Sequence, residues 1–379
     1  MFRSLQRAMT RALKLARPKL ARPAKLIVAA MLAPALAANT AKPARRKPAV
    51  KAKSAPATAA KPRARLGETV RRISSGGMPV QPPVTAGDAS WRGRGSFKTC
   101  QYAGPHGKRS YKLYLPETAA KSVTAMPVLI MLHGCTQTPD DFAKGTAMNR
   151  LADEFQIIVA YPAQPVAANR NKCWNWFNPA DQKRDGGEPA VLAGIAQQIL
   201  NKHKADPARV YVAGLSAGGA AAAILATAYP DVFAATGVHS GLPIGAAENA
   251  VTALYVMRAG SSGDKQTVPM PTIIFHGDGD TVVVPRNGRS LEARAVATFP
   301  ALSEVAKNGR KVGGHRFRKT THRGADRKTY CEFWPIEGAG HAWSGGHPAG
   351  SFTDPAGPDA SREMVRFFLQ HRAIAGSGV

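Results

Sequence analysis

A serine between two glycines is the clearest chemical signal in the sequence. Ser216 lies in Gly214-Leu215-Ser216-Ala217-Gly218, between an apolar stretch at 210–213 and an alanine-rich stretch that begins at Ala217. These flanks predict a buried strand, a sharp turn and a helix, which is the setting that exposes a serine hydroxyl as a nucleophile. The motif alone is weak in a chain with 36 glycines, but its flanks make it more specific. The chemistry indicated is acyl transfer through Ser216.

A nucleophilic serine needs a histidine to take its proton and a carboxylate to orient that histidine. In a strand–turn–helix setting the chain order is serine, acid, histidine. Asp280 is the predicted acid, because it lies further beyond an apolar strand than the alternative, Asp278. His341 follows the next clear strand and is the predicted base, whereas His276 is expected to brace the acid loop.

Acyl transfer also requires two N–H groups that bind the developing oxyanion. The residue after the nucleophile supplies one of them in this setting, so the backbone of Ala217 is predicted to donate. The second is expected after the apolar stretch 127–132, where His133-Gly134-Cys135-Thr136-Gln137 follows. Gly134 allows a close backbone approach, which makes the N–H of Cys135 the candidate and leaves His133 to shape the loop.

Three tryptophans accompany these motifs. Trp174 and Trp176 lie near Cys173, and Trp343 lies near the predicted base. They are predicted to form an apolar wall that accepts the acyl or alcohol part of an ester. Core packing is the alternative for each of them.

Four cysteines at wide spacing, Cys100, Cys135, Cys173 and Cys331, lack the close pairing typical of zinc sites, so no metal is predicted. Two disulfides are possible. The preferred pairing joins Cys135 to Cys173 and Cys100 to Cys331, and four free thiols are the alternative.

From about residue 96 onward, short apolar runs alternate with longer amphipathic stretches. This pattern is typical of an α/β fold with a mostly parallel sheet and helices on both faces, and residues 96–379 are predicted to form this domain. The predicted strands are 111–115, 127–132, 157–160, 210–213, 234–239, 272–275 and 330–335, and the predicted helices are 140–155, 188–204, 217–229, 289–299 and 361–371. Residues 163–187 show no period and are predicted to form an ordered insertion.

The N-terminal quarter of the chain is strongly basic. Residues 1–95 hold 21 Lys and Arg against Glu68 and Asp88, so they contribute +19 of the net charge of +28. Their Ala, Pro, Lys and Arg composition predicts a disordered linker over residues 39–95. Such a tail can contact DNA, anionic lipid or another polyanion through charge, although no specific nucleic-acid partner is predicted, and a solubilising spacer is the alternative.

An apolar run at 26–37 follows eight Lys and Arg and ends in Ala35-Leu36-Ala37. This arrangement predicts a secretory signal over residues 1–38 and an extracellular or periplasmic protein. A basic amphipathic segment is the alternative for these residues. It would leave the protein in the cytoplasm, at a granule or membrane surface.

Four separated motifs together resemble one enzyme family. They are Leu132-His133-Gly134-Cys135-Thr136-Gln137, Cys173-Trp174-Asn175-Trp176-Phe177, Arg209-Val210-Tyr211-Val212-Ala213-Gly214-Leu215-Ser216-Ala217-Gly218-Gly219 and Gly340-His341-Ala342-Trp343. In this order, over about residues 96–372, the chain is similar to the polyhydroxybutyrate (PHB) depolymerase-type esterases of the α/β-hydrolase superfamily. Feruloyl and acetylxylan esterases belong to the same family.

The resemblance implies an α/β-hydrolase fold and ester hydrolysis through an acyl-enzyme without metal or cofactor. Ser216, Asp280 and His341 occupy the matching motif positions. The expected substrate is a hydroxyalkanoate polymer or its oligomers, and a plant-wall ester, as in feruloyl or acetylxylan esterases, is the alternative. A protein of another class, which binds polyanions or granules through the basic tail, is the second alternative.

Overall fold

A mixed sheet of ten strands forms the centre of the protein in a computed structural model, which describes residues 89–261 and 268–373. The strands are β1 (Ser96–Gly104), β2 (Gly107–Leu115), β3 (Met126–Leu132), β4 (Ile158–Pro162), β5 (Ala205–Leu215), β6 (Ala235–His239), β7 (Thr272–Gly277), β8 (Ser303–Arg310), β9 (Arg316–Arg323) and β10 (Thr329–Ile336). Their order is β1-β2-β4-β3-β5-β6-β7-β10-β9-β8. The six strands from β4 to β10 in this order are parallel, and antiparallel strands close both edges.

Helices cover both faces of the sheet. They are α1 (Pro139–Thr146), α2 (Met148–Phe155), α3 (Gly187–Lys202), α4 (Ala217–Ala228), α5 (Ala250–Ala259), α6 (Arg286–Ala297) and α7 (Ala360–Phe368). Helices α3, α4 and α6 pack on one face, and α1, α2 and α7 pack on the other. The predicted α/β fold class is therefore confirmed. No helix within the described ranges is long and apolar enough to cross a bilayer.

Strand β3 shows why the centre of the sheet reads as continuously apolar. All seven of its residues are buried. Val128 and Ile130 pack toward α3 and α4, whereas Leu129 and Met131 pack toward α1 and α2. A strand with helices on both faces must be apolar on both faces, and its carboxyl end then lies at the edge where α/β sheets bind ligands.

The predicted helix at 140–155 is wrong in one respect, because it consists of two helices. Ala147 adopts a left-handed conformation with φ of 48° and ends α1, where its N–H bonds to the carbonyl of Ala143. Helix α2 starts at the next residue, Met148. The residue at the break is an alanine, and the nearest glycine, Gly145, lies inside the last turn of α1.

The folded domain begins before the predicted boundary at residue 96. Trp91 is buried, and the ammonium group of Lys144 lies 5.8 Å from the centre of its ring. The N–H of Gly95 donates to the Tyr114 hydroxyl at 2.6 Å. The predicted signal segment 1–38 and nearly all of the predicted linker lie outside the described residues.

The predicted disulfide between Cys100 and Cys331 is wrong, and both cysteines are free. Cys100 lies on β1 and Cys331 on β10, with six strands between them in the sheet. Neighbouring strands are about 4.8 Å apart, so the two strands are separated by roughly 30 Å. A disulfide requires Cα atoms within about 7 Å.

Strand β8 ends the sheet, and almost all of its residues are exposed. Its pairing with β9 places Lys307 opposite Lys319 and Arg310 opposite Arg316. Lys319 contacts the Glu332 carboxylate at 3.2 Å. The outermost hairpin of the sheet is thus basic on both of its strands.

Candidate active site

Ser216 stands on the turn between β5 and α4, at the carboxyl edge of the sheet. Its backbone has φ of 58° and ψ of −120°, a conformation that L-residues seldom adopt. A Cβ atom on Gly214 would lie 2.3 Å from the backbone of Gly218, and one on Gly218 would lie 2.1 Å from the carbonyl oxygen of Leu132. Both positions therefore require glycine, which explains the motif around Ser216.

His341 and Asp280 form a hydrogen-bonded pair at the ends of β10 and β7. Nδ1 of His341 lies 2.7 Å from Oδ2 of Asp280. The other carboxylate oxygen accepts from the backbone N–H groups of Val282 and Val283, each at 2.9 Å. Burial alone would raise the pKa of Asp280, but His341, His276 and the Val283 N–H outweigh it and hold that pKa below its usual value. Asp280 is therefore an anion that fixes the His341 ring and leaves its Nε2 available.

Main-chain hydrogen bonds join the loops that carry Asp280 and His341. The N–H of Asp278 donates to the carbonyl of Ile336 at 3.0 Å, and the N–H of Gly279 donates to that of Ala339 at 3.0 Å. The Asp278 carboxylate accepts from the N–H of Gly338 at 2.6 Å. Asp278, the alternative acid, thus braces the loop that carries His341, while Asp280 contacts His341 itself.

His276 lies beneath the acid loop. Its Nε2 is 2.7 Å from the carbonyl of Val283 and donates to it, and burial lowers the pKa of the ring. The predicted role of His276 as a brace of this loop agrees with that contact.

Ser216, His341, Cys135 and Ala217 line one cavity of about 330 Å³. Among the described residues, no hydrogen bond joins the Ser216 hydroxyl to His341. Such bonds are often long in free enzymes and shorten when substrate binds. The structure therefore brings the predicted nucleophile, base and donors to one site, with the serine and histidine not yet in contact.

The N–H groups of Ala217 and Cys135 have no acceptor within the part of the chain that the structure describes. Ala217 is the first residue of α4, where backbone N–H groups lack a partner inside the helix. The N-terminal end of a helix also carries partial positive charge. These two donors suit a negative oxygen held close to Ser216.

Residues 133–137, here called the oxyanion loop, are tied to the insertion at 163–187. The predicted disulfide between Cys135 and Cys173 is present. Next to it, the N–H of Thr136 donates to the carbonyl of Asn171 at 2.7 Å. Within the loop, the Gln137 side chain accepts from the N–H of Gly134 at 2.9 Å.

His133 is buried at the start of the oxyanion loop. Its Nδ1 is 2.8 Å from the carbonyl of Gly134 and donates to it, while its Nε2 accepts from the N–H of Gln164 at 3.2 Å. Burial is the main cause that lowers the pKa of His133 to about 4. The ring is therefore neutral near pH 7 and shapes the loop, in agreement with the prediction.

The prediction that three tryptophans form the cavity wall is wrong for two of them. Trp176 lines the cavity, but Trp174 and Trp343 do not. The indole N–H of Trp174 donates to the carbonyl of His133, and that of Trp343 donates to the Ser361 hydroxyl, both at 3.0 Å. Each is fully buried with its polar atom satisfied, which makes it a core residue.

The wall of the cavity is mostly apolar, and helix α5, which was not predicted, contributes to it. Its apolar members include Trp176, Phe177, Leu242, Leu254, Met257, Val282 and Phe352. Asn249 caps α5 by accepting from the N–H groups of Val251 and Thr252. This asparagine ahead of an apolar helical spacing is the sequence signal that could have revealed the helix.

The parallel sheet, the strained serine turn and the Asp280–His341 pair define an α/β-hydrolase. A solved acetyl xylan esterase from Aspergillus awamori superposes with a TM-score of 0.55 at 20% identity, over 73% of this chain and 100% of that one. Residues 109–314 match the family described as esterase PHB depolymerase, and the chain belongs to this family. Ser216 and Asp280 lie within the matched range, and His341 lies beyond it.

Two curated relatives illustrate the range of the family. A poly(3-hydroxyalkanoate) depolymerase C from Paucimonas lemoignei is 32% identical over 231 residues, which cover 57% of this chain and 54% of that protein. A feruloyl esterase B from Thermothelomyces thermophilus is 34% identical over 142 residues, which cover 37% and 47% of the two chains. The chain thus spans about half the length of these relatives.

Proposed function

We propose that this protein is a serine ester hydrolase that forms an acyl-enzyme on Ser216. The observation that carries the proposal is the cavity in which Ser216 meets the Asp280–His341 pair and the N–H groups of Cys135 and Ala217. These groups supply the nucleophile, the general base and the oxyanion donors that ester hydrolysis needs.

In the proposed reaction, the Ser216 hydroxyl attacks the ester carbonyl while Nε2 of His341 takes its proton. Asp280 stabilises the imidazolium that results, and the N–H groups of Cys135 and Ala217 bind the oxyanion. His341 then gives the proton to the departing alcohol, leaving an acyl ester on Ser216. Water, activated by His341, attacks this ester and releases the acid.

The proposed substrate is a hydroxyalkanoate polymer or its oligomers. The depolymerase among the relatives supports this substrate class, as does a cavity wall in which, among the described residues, only His341 carries a titratable group. Leu254 lines the cavity and is also exposed, next to Val251 and Tyr255, which are 78% and 69% exposed on α5. An uncharged aliphatic polyester could contact this apolar face while one of its esters occupies the cavity.

Feruloyl ester hydrolysis is the second candidate. The feruloyl esterase among the relatives supports it, and Trp176 and Phe177 supply two aromatic rings, 5.7 Å apart, at the cavity for a ferulate ring. Release of 3-hydroxybutyrate, ferulate and acetate from PHB film, soluble oligomers, feruloyl esters and acetylated xylan distinguishes the candidates. Faster turnover of feruloyl or acetyl esters than of every hydroxybutyrate ester would overturn the polyester proposal.

The reaction itself is tested with Ser216→Ala and p-nitrophenyl butyrate. The expected result is a loss of at least about 10⁴-fold in kcat, because the covalent route disappears. Ser240→Ala is the matched control, since Ser240 is buried near the site and its hydroxyl has no partner among the described residues. Activity of Ser216→Ala above a tenth of wild type would contradict the proposal.

The compartment and the tail are further parts of the proposal. A disulfide at the site suits an oxidising compartment, which supports an extracellular or periplasmic protein with residues 1–38 as its secretory signal. The charge of +19 on residues 1–95 suits contact with an anionic surface. N-terminal sequencing of the mature protein tests the first point.

A further inference from the structure

Two buried polar side chains, Gln164 and Glu188, lie behind the oxyanion loop and take no part in the proposed reaction. Gln164 is 2% exposed and Glu188 is 7% exposed. Glu188 lies in the first turn of α3, and Gln164 follows β4. Buried polar groups of this kind cost free energy unless they are fully hydrogen-bonded, so their partners show what they hold in place.

The Glu188 carboxylate accepts three hydrogen bonds from the insertion. Oε2 accepts from the backbone N–H of Asn175 at 2.8 Å, and Oε1 accepts from the Asn175 side chain at 2.9 Å. Oε1 also accepts from the amide of Gln164. The carboxylate therefore fixes both the backbone and the side chain of Asn175.

Gln164 continues this network toward the oxyanion loop. Its side-chain amide donates to the carbonyl of Cys173 at 2.9 Å, and its backbone N–H donates to Nε2 of His133 at 3.2 Å. Its side-chain oxygen accepts from the Arg109 guanidinium at 2.5 Å. Gln164 thus links Glu188 to Cys173, the disulfide partner of the oxyanion loop, and to His133 within that loop.

The segment held by Glu188 and Gln164 also holds Cys135. Cys173 bonds covalently to Cys135, and the carbonyl of Asn171 accepts from Thr136. Trp174, one residue before Asn175, donates to the carbonyl of His133. The backbone of the oxyanion loop is therefore fixed from the insertion on both sides of the Cys135 N–H.

We propose that Glu188 is a positioning residue for the oxyanion donor at Cys135, acting through Asn175, Gln164 and the Cys135–Cys173 disulfide. This inference rests on the proposed ester hydrolysis. A donor aimed at the oxyanion acts mainly in the transition state, so its displacement lowers kcat and leaves KM nearly unchanged.

A carboxylate is required at position 188 because three donors converge on it. Glutamine has a single acceptor oxygen, and its amide group would face an N–H group of Asn175 or Gln164. Burial raises the pKa of Glu188, while the hydrogen bonds from Gln164 and Asn175 and the charge of Arg109 favour its carboxylate form. Glu188→Gln therefore keeps the size of the side chain and removes its ability to hold the insertion.

The test compares Glu188→Gln with Glu332→Gln in the full-length protein. Glu332 is 1% exposed and also binds three donors, Trp334, Arg366 and Lys319, but it is not part of the cavity wall. With p-nitrophenyl butyrate, Glu188→Gln is expected to lower kcat at least about tenfold with KM within about twofold. Glu332→Gln is expected to lower Tm by a similar amount and to keep kcat within about twofold.

A double-mutant cycle with Cys135→Ser/Cys173→Ser tests the route. If Glu188 acts through the disulfide, its effect on kcat is expected to shrink to less than about threefold once the disulfide is absent. Asn175→Asp, at a half-buried position, gives the same readout should Glu188→Gln fail to fold, because its carboxylate repels Glu188. A fall in kcat for Asn175→Asp that shrinks when the disulfide is removed supports the proposal. An unchanged kcat contradicts it.

Three results would overturn the inference. They are an unchanged kcat in Glu188→Gln, an effect on KM alone, and an equally large effect without the disulfide. Wild-type turnover that depends on Ser216 is measured first, so any of these results contradicts the role of Glu188 without contradicting ester hydrolysis. If Ser216→Ala remains active, the proposed function itself is wrong.

Discussion

The two sides of the candidate site are held in place by different kinds of bond. On the side of β7 and β10, backbone hydrogen bonds join the loops that carry Asp280 and His341. On the side of β3 and β4, the oxyanion loop depends on a disulfide and on buried side chains such as Gln164 and Glu188.

Because of this difference, the two sides of the site are expected to tolerate different substitutions. Backbone bonds are independent of side-chain identity, so most substitutions near Asp280 and His341 leave their loops intact. Buried side-chain networks fail when one member loses a partner. The oxyanion side is therefore expected to be more sensitive than the acid–base side to substitutions at residues outside the cavity.

The largest expected effect tests the acid–base side. Asp280→Asn is expected to lower kcat by about 10⁴-fold, because an amide can hold the wrong tautomer of His341. Asp278→Asn is the matched control, since its remaining oxygen can still accept from Gly338, and kcat is expected to stay within about threefold. Kinetics with p-nitrophenyl butyrate measure both. Equal losses of kcat in the two variants would show that the loop that carries His341 also depends on side chains for its position.

Removal of the disulfide tests the oxyanion side. Cys135→Ser/Cys173→Ser is expected to lower kcat about tenfold, through a misplaced donor, at little change in KM. The disulfide closes a loop with a sequence separation of 38. On the chain-entropy model its loss lowers the free energy of unfolding by about 4 kcal/mol, which urea denaturation measures. A loss of stability with normal kcat would make the disulfide a staple with no effect on the donor.

The smallest expected effect concerns His133 and pH. Its pKa is about 4 in the folded protein, below the unfolded value of 6.5, so the unfolded chain binds more protons in this range. The contribution of His133 to the free energy of unfolding is fully present above pH 6.5. It is lost as the pH falls toward 4, which lowers the free energy of unfolding by about 3 kcal/mol. Urea denaturation at several pH values from 7 to 4 measures this loss, and the free energy of unfolding of His133→Gln is expected to fall less steeply with decreasing pH than that of the wild type. The same slope in both proteins would contradict a buried, neutral His133.

The sequence predicted which residues meet at the candidate site better than it predicted the residues that support them. The motif around Ser216 contains glycines that the backbone geometry requires, and Asp280 and His341 follow clear apolar strands, so local pattern carried the information. Gln164 and Glu188 belong to no motif, and Glu188 looks like an ordinary acidic residue in the first turn of a helix. Their role depends on which distant residues they meet, and spacing along the chain does not encode that.

The tryptophans show the same limit. Each of the three lies near a site motif in the sequence, yet Trp174 and Trp343 are core residues and Trp176 alone lines the cavity. Proximity along the chain does not reveal which side of the backbone a side chain occupies in irregular segments.

The elements at the edges of the sheet were also missed, for a physical reason. β8 is exposed at nearly every position and carries charged residues, so it shows no apolar alternation. β1 is half-buried at most, and α5 buries only Ala253 and Val256 of its residues. Central strands such as β3 and β5 were predicted because burial on both faces demands continuous apolar sequence.

The basic hairpin has a consequence for how the sheet ends. An edge strand offers unpaired N–H and C=O groups to any other strand that reaches it. A second copy of this hairpin that added alongside β8 would bring Lys307 and Arg310 against further cations. Because like charges repel, the cations of β8 disfavour the addition of a second copy at this open edge.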